Sequence, residues 1–330
     1  MKPLFRHSLV NNSFGDPCLY VRLLRERYSL LFDLGDISAL TPAQMNRITD
    51  VFVTHMHMDH FIGFDLLLRK RLRKESPLAI YGPPGIIQCV WGKLQGYTWN
   101  LIEEYPTVIN VFSFDGQEIE HVTFLAKKRF SPGRSVRTAS DGILAMNPLF
   151  RVRAAVIDHG IPCLAFSLTE DYHINIDKDR LMRRGLSVGP WLAAFKRLIR
   201  ERAPSEQTII ADGKTCSLGD LADIARITKG QKISYVTDVG ISEKNIAIVV
   251  DLVSGADVLY CEAYYLEEDR ERAAGRDHLT ARECGRIARS AGVKWLEVMH
   301  FSPLYKKYPE RVIREAEEAF QGGSSGGSSG

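Results

Sequence analysis

A layered α/β fold is what this 330-residue sequence predicts, and three observations carry that prediction. Short apolar runs with the composition of buried strands recur along the chain, helical patterns lie between several of them, and the composition does not break before residue 320. A hydrophobic content of 45% is ample for a sizeable core.

In chain order the strand candidates are "SLLFDLG" (29–35), "VFVT" (51–54), "LAIYG" (78–82), "VRAAVID" (152–158), "CLAFSL" (163–168), "KISYVTD" (232–238), "VLYCEAY" (258–264) and "KWLEVMH" (294–300). Residues 280–291 read as a helix, with Thr280 and Glu283 in capping-box spacing and Cys284, Ile287, Ala288 and Ala291 at helical intervals. Residues 309–320 read similarly, with Pro309 near the start. The longest loop candidate is 126–142, which carries Lys127, Lys128, Arg129, Arg134 and Arg137 and is either a solvated excursion or a functional basic loop. The tail 321–330 is a flexible Gly/Ser linker of the kind left by cloning, so a single domain over 1–320 is expected.

Composition excludes several classes. No apolar run approaches the roughly 20 residues of a membrane helix, Met1 to Val10 lacks the apolar core of a signal peptide, and a cytoplasmic protein is the expectation. Six scattered cysteines without a CxxC pair argue against a zinc ribbon and a disulfide framework. A net charge of +3 does not announce nucleic-acid binding, which needs a local basic patch.

Chemistry concentrates in "VFVTHMHMDHFIGF" (51–64), where His55, His57, Asp59 and His60 crowd into six positions after a strand. His159, Asp238, His278 and His300 lie at strand ends or a helix start, where α/β proteins build their sites. In a turning segment His55 and His57 point one way while Asp59 and His60 reach a second point, so one stretch can serve two cations. Imidazole and carboxylate ligands without thiolates suit zinc, with manganese or iron as alternatives, and Asp238 is suited to bridging two ions.

These residues resemble the metallo-β-lactamase superfamily, and within it the ribonuclease Z branch of tRNA 3′-processing endonucleases. Thr54, His55, His57, Asp59 and His60 match its THxHxDH signature. "LFDLG" (31–35), "YGPPG" (81–85), "DHGIP" (158–162), "VTDVG" (236–240), "CEAYY" (261–265), "HLTARE" (278–283) and "HFSPLY" (300–305) follow in order. The resemblance implies a four-layer αββα sandwich with two metal ions, expected as Zn2+. His55, His57 and His159 would hold one, Asp59, His60 and His300 the other, and Asp238 would bridge them. Asp59, His278 and Glu262 would be catalytic: Asp59 takes or hands on a proton, and His278, oriented by Glu262, contacts the phosphoryl oxygen or protonates the leaving alkoxide. The implied function is a phosphodiester hydrolase acting on RNA, a tRNA precursor, as a homodimer. A cyclic-nucleotide or other small phosphodiester hydrolase, or an arylsulfatase-like or lactonase-like relative, is the alternative.

The sequence departs from the branch at Cys261, where a histidine is usual, at Val239 beside the bridging aspartate, and at Leu304. The largest departure is an exosite-like insertion around 175–222, where "WLAAFKRLIRERAPSEQ" reads as an amphipathic helix with Trp191, Ala194, Phe195 and Leu198 on one face and Lys196, Arg197 and Arg200 elsewhere. It is either a modified RNA grip or a packed surface helix or dimer contact.

Overall fold

The computed structural model describes residues 4–24 and 26–322, so residues 323–330 of the Gly/Ser tail lie outside them. Eight strands form one sheet in chain order: β1 (Phe5–Leu9), β2 (Leu19–Leu23), β3 (Ser29–Phe32), β4 (Ile48–Phe52), β5 (Leu78–Gly82), β6 (Val108–Phe114), β7 (Glu118–Leu125) and β8 (Val136–Ala139). β3 to β6 are parallel, with antiparallel strands on either side. Parallel neighbours need crossovers, which α1 (Pro42–Met45), α2 (Phe64–Arg71) and α3 (Ile86–Gln95) supply. Alternation then sorts the side chains. Leu31, Val51, Ile80 and Val111 join the core under these helices with Phe64, Leu67, Ile86 and Val90. On the other face Phe32, Phe52, Tyr81, Phe112 and His121 stack on adjacent strands, with ring centroids 5.1, 4.7, 4.6 and 4.3 Å apart.

The chain next forms β9 (Ile143–Met146), β10 (Arg151–Asp158) and β11 (Pro162–Thr169). Then come β12 (Tyr172–Ile176), α4 (Lys178–Arg183), α5 (Trp191–Arg200), β13 (Thr208–Ala211), β14 (Lys214–Ser217) and β15 (Ala225–Lys229). Last are β16 (Lys232–Val236), α6 (Glu243–Val253), β17 (Val258–Glu262), α7 (Arg270–Ala274), α8 (Ala281–Ser290), β18 (Leu296–Met299) and α9 (Pro309–Gln321). The second sheet has the order β18-β17-β16-β11-β10-β9. Phe166 and Tyr235 on its inner face meet Phe32 at 5.7 and 5.9 Å. On its outer face Val236, Leu259 and Cys261 pack under α6, α8 and α9 through Val249, Ile287 and Val312. The layers are therefore helix, sheet, sheet, helix, the expected αββα sandwich.

The chain packs as two compact bodies. One comprises Phe5–Leu144, Val152–Leu168 and the chain from Lys232 onward, and holds both large sheets. The other contains Ala145–Arg151 and Thr169–Gln231, and the 175–222 segment falls within it. There Phe195 of α5 is fully buried among Leu181, Leu186, Ala211 and Ile224. The helix stops at Arg200 rather than running through the whole stretch, because Arg202 takes a left-handed φ of 52° and Pro204 follows. All three of its cations have partners inside this body, the exposed Arg197 lying 3.9 Å from Glu201. Lys196 Nζ donates to the Ile174 carbonyl, and Arg200 lies 3.6 Å from the buried Glu170.

Two local expectations change. The 126–142 stretch is not all loop: Ala126–Lys128 form a 3-10 turn anchored by the buried Ala126 and Phe130, and Val136–Ala139 pair with β7 as an exposed edge strand. At α8, Thr280 Oγ1 accepts from the Glu283 amide as expected, but the Glu283 carboxylate pairs with Arg270 and Arg286 instead of closing a capping box.

Candidate metal centre

The strand ends aim the chemistry. β3, β16 and β18 each run out into a residue with left-handed backbone: Asp33 (φ 58°), Asp238 (φ 58°) and His300 (φ 55°). Such conformations cost about 1 kcal/mol or more for a residue with a side chain and persist where surrounding structure imposes them. Here each turns a polar side chain out of a buried strand toward one point. Gly35 lets the β3 turn approach the ligand loop, since a Cβ there would lie 2.7 Å from the Asp59 carbonyl oxygen.

After β4 the chain enters "THMHMDH" and is fastened by Asp33. That carboxylate accepts from the Thr54 amide at 2.7 Å, the Thr54 hydroxyl at 2.9 Å, the Tyr235 hydroxyl at 3.0 Å and His60 Nδ1 at 2.8 Å. A 3-10 turn at Met58–His60 turns Asp59 and His60 toward His300, while the His60 ring stays beside His55 with centroids 4.2 Å apart. The side-chain ligand atoms form overlapping groups within 4.8 Å of one another: two trios, His55, His57 and His159 in one and Asp59, His60 and His300 in the other, with His55, His60 and Asp238 linking them and Asp238, Glu262, His278 and His300 grouped beside the second. Asp238 stands between the two trios. Its Oδ1 is 3.6 Å from His159 Nε2, and its Oδ2 is 3.1 Å from His60 Nε2 and 3.5 Å from His300 Nδ1. His159 is oriented by donating Nδ1–H to the Asp277 carbonyl at 2.7 Å, which leaves Nε2 as a lone-pair donor.

Charge and hydrogen bonding test whether metal ions fit. His60 is buried with Nδ1 donating to Asp33, yet its Nε2 finds no hydrogen bond of acceptable geometry although Asp238 Oδ2 is 3.1 Å and Asp59 Oδ2 3.4 Å away. A buried lone pair facing two carboxylates is satisfied by a cation between them. Without one, the ring is driven to take up a proton. Burial lowers its pKa, but Asp33 and Asp238 lift it well above the ordinary value, and His300 is likewise pushed up to about 10 against burial, chiefly by Asp238. Burial would raise Asp238, but His300 and His60 hold it well below the carboxylate range. At the other trio burial, reinforced by the His60 charge, lowers His55 to about 2, the neutral state a ligand needs. The donor set fits two divalent cations of the borderline kind.

Beside the second trio, buried Glu262 accepts from the Val239 and Leu279 amides at 2.7 and 3.1 Å and from His278 Nδ1 at 2.8 Å. Burial would raise its pKa, but His278 brings it down to about 2. All nine side chains singled out in the sequence, His55, His57, Asp59, His60, His159, Asp238, Glu262, His278 and His300, thus converge on one place. Sequence reasoning gave no role to Asp33, whose position in "FDLG" just past a strand was the available signal, nor to Thr237, whose hydroxyl donates to Asp238 Oδ2 at 2.7 Å.

No protein-family model matches the chain. It is 31% identical over 297 residues to the Ribonuclease Z of Deinococcus radiodurans, covering 88% of this chain and 87% of that one. Among solved structures it resembles the metallo-β-lactamase-fold protein YhfI of Bacillus subtilis, with a TM-score of 0.57, 16% identity and 96% and 93% of the two chains covered. It also resembles the short form of human tRNase Z, with a TM-score of 0.53, 19% identity and coverage of 90% and 93%.

Proposed function

The chain belongs to the ribonuclease Z family and is a metal-dependent hydrolase, and from that premise we propose that it is an endoribonuclease cutting tRNA precursors at the 3′ end with two zinc ions. The observation that carries the reading is Asp238 between two ligand trios, with the His60 lone pair left unsatisfied beside it. His55, His57 and His159 would hold one ion, Asp59, His60 and His300 the other, with manganese or iron as alternatives to zinc. Ions so held would supply a hydroxide at neutral pH and stabilise charge on the phosphodiester.

The chain's own residues divide the remaining work. The Glu262 carboxylate fixes Nδ1–H of His278, so Nε2 is the nitrogen that can hold or hand over a proton at the leaving oxygen. The Asp59 carboxylate is 44% exposed, which lets it exchange a proton with solvent or substrate. His278 lies just before Thr280, the N-cap of the ten-residue α8, whose free amides favour an anionic phosphoryl group. The reading also makes the enzyme a cytoplasmic homodimer. The six cysteines are unpaired, which fits a reducing compartment, and no helix among the described residues is long and apolar enough to cross a membrane.

The test is a parallel assay of the zinc-loaded protein on a tRNA precursor with a 3′ trailer, bis-p-nitrophenyl phosphate, cyclic nucleotides and an aryl sulfate. Cleavage at the tRNA 3′ end is expected, and turnover of the small substrates alone would reject the tRNA assignment. His278→Ala should keep both metals and lose about 10²-fold or more in kcat. His57→Ala should lose metal, and elemental analysis finding two ions per chain in that variant would refute the ligand set.

A further inference from the structure

The geometry points to Tyr264 as a positioning residue that holds the His278 imidazole in its working plane. The kinetic part of this inference rests on the phosphodiesterase reading above, and the spectroscopic part does not.

His278 has one strong polar tether, the 2.8 Å contact from Nδ1 to Glu262 Oε2. One hydrogen bond fixes the tautomer and one point of the ring. It leaves rotation about the Cβ–Cγ bond loosely defined, because torsions onto a planar ring have broad wells. Nε2 lies off the Cβ–Cγ axis, so that rotation carries it out of the plane in which it would work. Tyr264 supplies what the hydrogen bond lacks: its ring lies face to face with the imidazole at a centroid distance of 3.9 Å and an interplanar angle of 6°. Edgewise contacts from His159 at 5.0 Å and His300 at 5.8 Å bound the imidazole elsewhere. The same phenol ring meets His300 edge-on at 5.1 Å, so one aromatic side chain touches both the group assigned to proton transfer and a member of the second ligand trio.

The backbone makes Tyr264 a rigid wall. It lies two residues past the end of β17 and is clamped from both sides. The Ala263 amide donates to the Met299 carbonyl at 2.9 Å and the Ser302 amide to the Tyr264 carbonyl at 3.0 Å on the His300 side. The Tyr265 amide donates to Leu279 at 3.3 Å and the Ala281 amide to Tyr265 at 2.7 Å on the His278 side. A wall tied to both loops fixes their separation as well as the ring plane. The plane matters because misplacing a reacting group by about 1 Å can cost about 10²-fold in rate.

Two variants and one spectrum test the assignment. In the zinc-loaded enzyme Tyr264→Phe, which keeps the ring, should hold kcat within about 2-fold of wild type, whereas Tyr264→Leu should lower it by about 10-fold or more with KM nearly unchanged and both metals retained. A leucine variant with wild-type kcat, or one whose loss lies in KM or in metal content, would overturn the inference. Ring-labelled histidine spectra give a readout independent of turnover. The His278 carbon-bound protons, identified as the signals missing in His278→Gln, should be displaced upfield by the Tyr264 ring in wild type and in Tyr264→Phe. Unshifted His278 protons in wild type would reject the stacking, also where Tyr264→Leu does not fold. An enzyme inactive on every phosphodiester but with the upfield signals would overturn the functional reading and leave the positioning intact.

Discussion

Asp33 explains more of the site than any residue named in the signature itself. It accepts from a backbone amide, two hydroxyls and an imidazole while fully buried, so it joins the ligand loop, the second sheet and His60 at one carboxylate. Asp33→Asn replaces one acceptor oxygen with an NH2 that faces existing donors. We expect a stability loss of about 2 kcal/mol or more and metal affinity weakened about 10- to 100-fold, measured by denaturant unfolding and chelator competition; unchanged values in both would remove Asp33 from this role. Glu262 gives a pH test. Its ordinary pKa of 4.5 falls to about 2 in the folded chain, because His278 outweighs burial. A depressed carboxylate stabilises the fold above its unfolded value and loses that contribution as pH drops through the folded one. The gap in unfolding free energy between metal-free wild type and Glu262→Gln should therefore narrow between about pH 4.5 and 2, and a constant gap would show that Glu262 is not so held. Of the nine candidate side chains, His55, His57, Asp59 and His60 were legible because ligand types at short spacing leave a strong pattern; His159, Asp238, His278 and His300 were legible from their places at strand ends or a helix start, and Glu262 only from the family resemblance. Tyr264 and Thr237 were not, because a ring that stacks and a hydroxyl that steers look like ordinary core residues until the fold brings their partners near.

Elements differ in how much they disclosed. Strands buried on both faces, such as β4, β11 and β17, announce themselves as apolar runs, whereas β7, with exposed and half-buried residues through Glu118–His121, and the fully exposed β8 carry no such run. β12 to β15 were likewise unread, being short and mostly exposed or half-buried. Helix α8 was read from its cap and periodicity, but its closeness to α9 could not be. At Gly285 a Cβ would fall 2.2 Å from the Ala316 carbonyl oxygen and 2.9 Å from the Phe320 amide nitrogen, both backbone atoms that cannot rotate away. Gly285→Ala should thus force the helices apart and cost about 1 to 3 kcal/mol, despite alanine being the better helix former. Because α8 begins just after His278, kcat should fall as well; a variant as stable and active as wild type would mean the two helices separate freely.

For the molecule as a whole, the candidate ligands come from the ends of β4, β10, β16 and β18, so metal held by them would tie both sheets together. A ligand that binds only the folded state adds about 2.7 kcal/mol at a hundredfold excess over its Kd. Removing metal with a chelator should lower the thermal midpoint, and restoring zinc should return it; a midpoint indifferent to both would place the ions outside the folding equilibrium. The αββα layering was recognisable from motif order along nearly the whole chain, because strand ends and ligands are locked in sequence. The second body was legible only as an insertion around 175–222 with an amphipathic helix; its own core was not, since Phe195, Leu181 and Ile224 are apolar residues without a signature. The left-handed turns at Asp33, Asp238 and His300 have a consequence for anyone evolving this protein. In the metal-free chain, selection for heat resistance alone will favour glycine or asparagine at Asp238 and His300, where relief of backbone strain is available, whereas the four hydrogen bonds to Asp33 hold that residue in place; each gain at the other two would discard a candidate metal ligand. Thermostable variants of this fold should therefore be screened for activity at every round, because the easiest stabilising changes and the most damaging ones occupy the same residues.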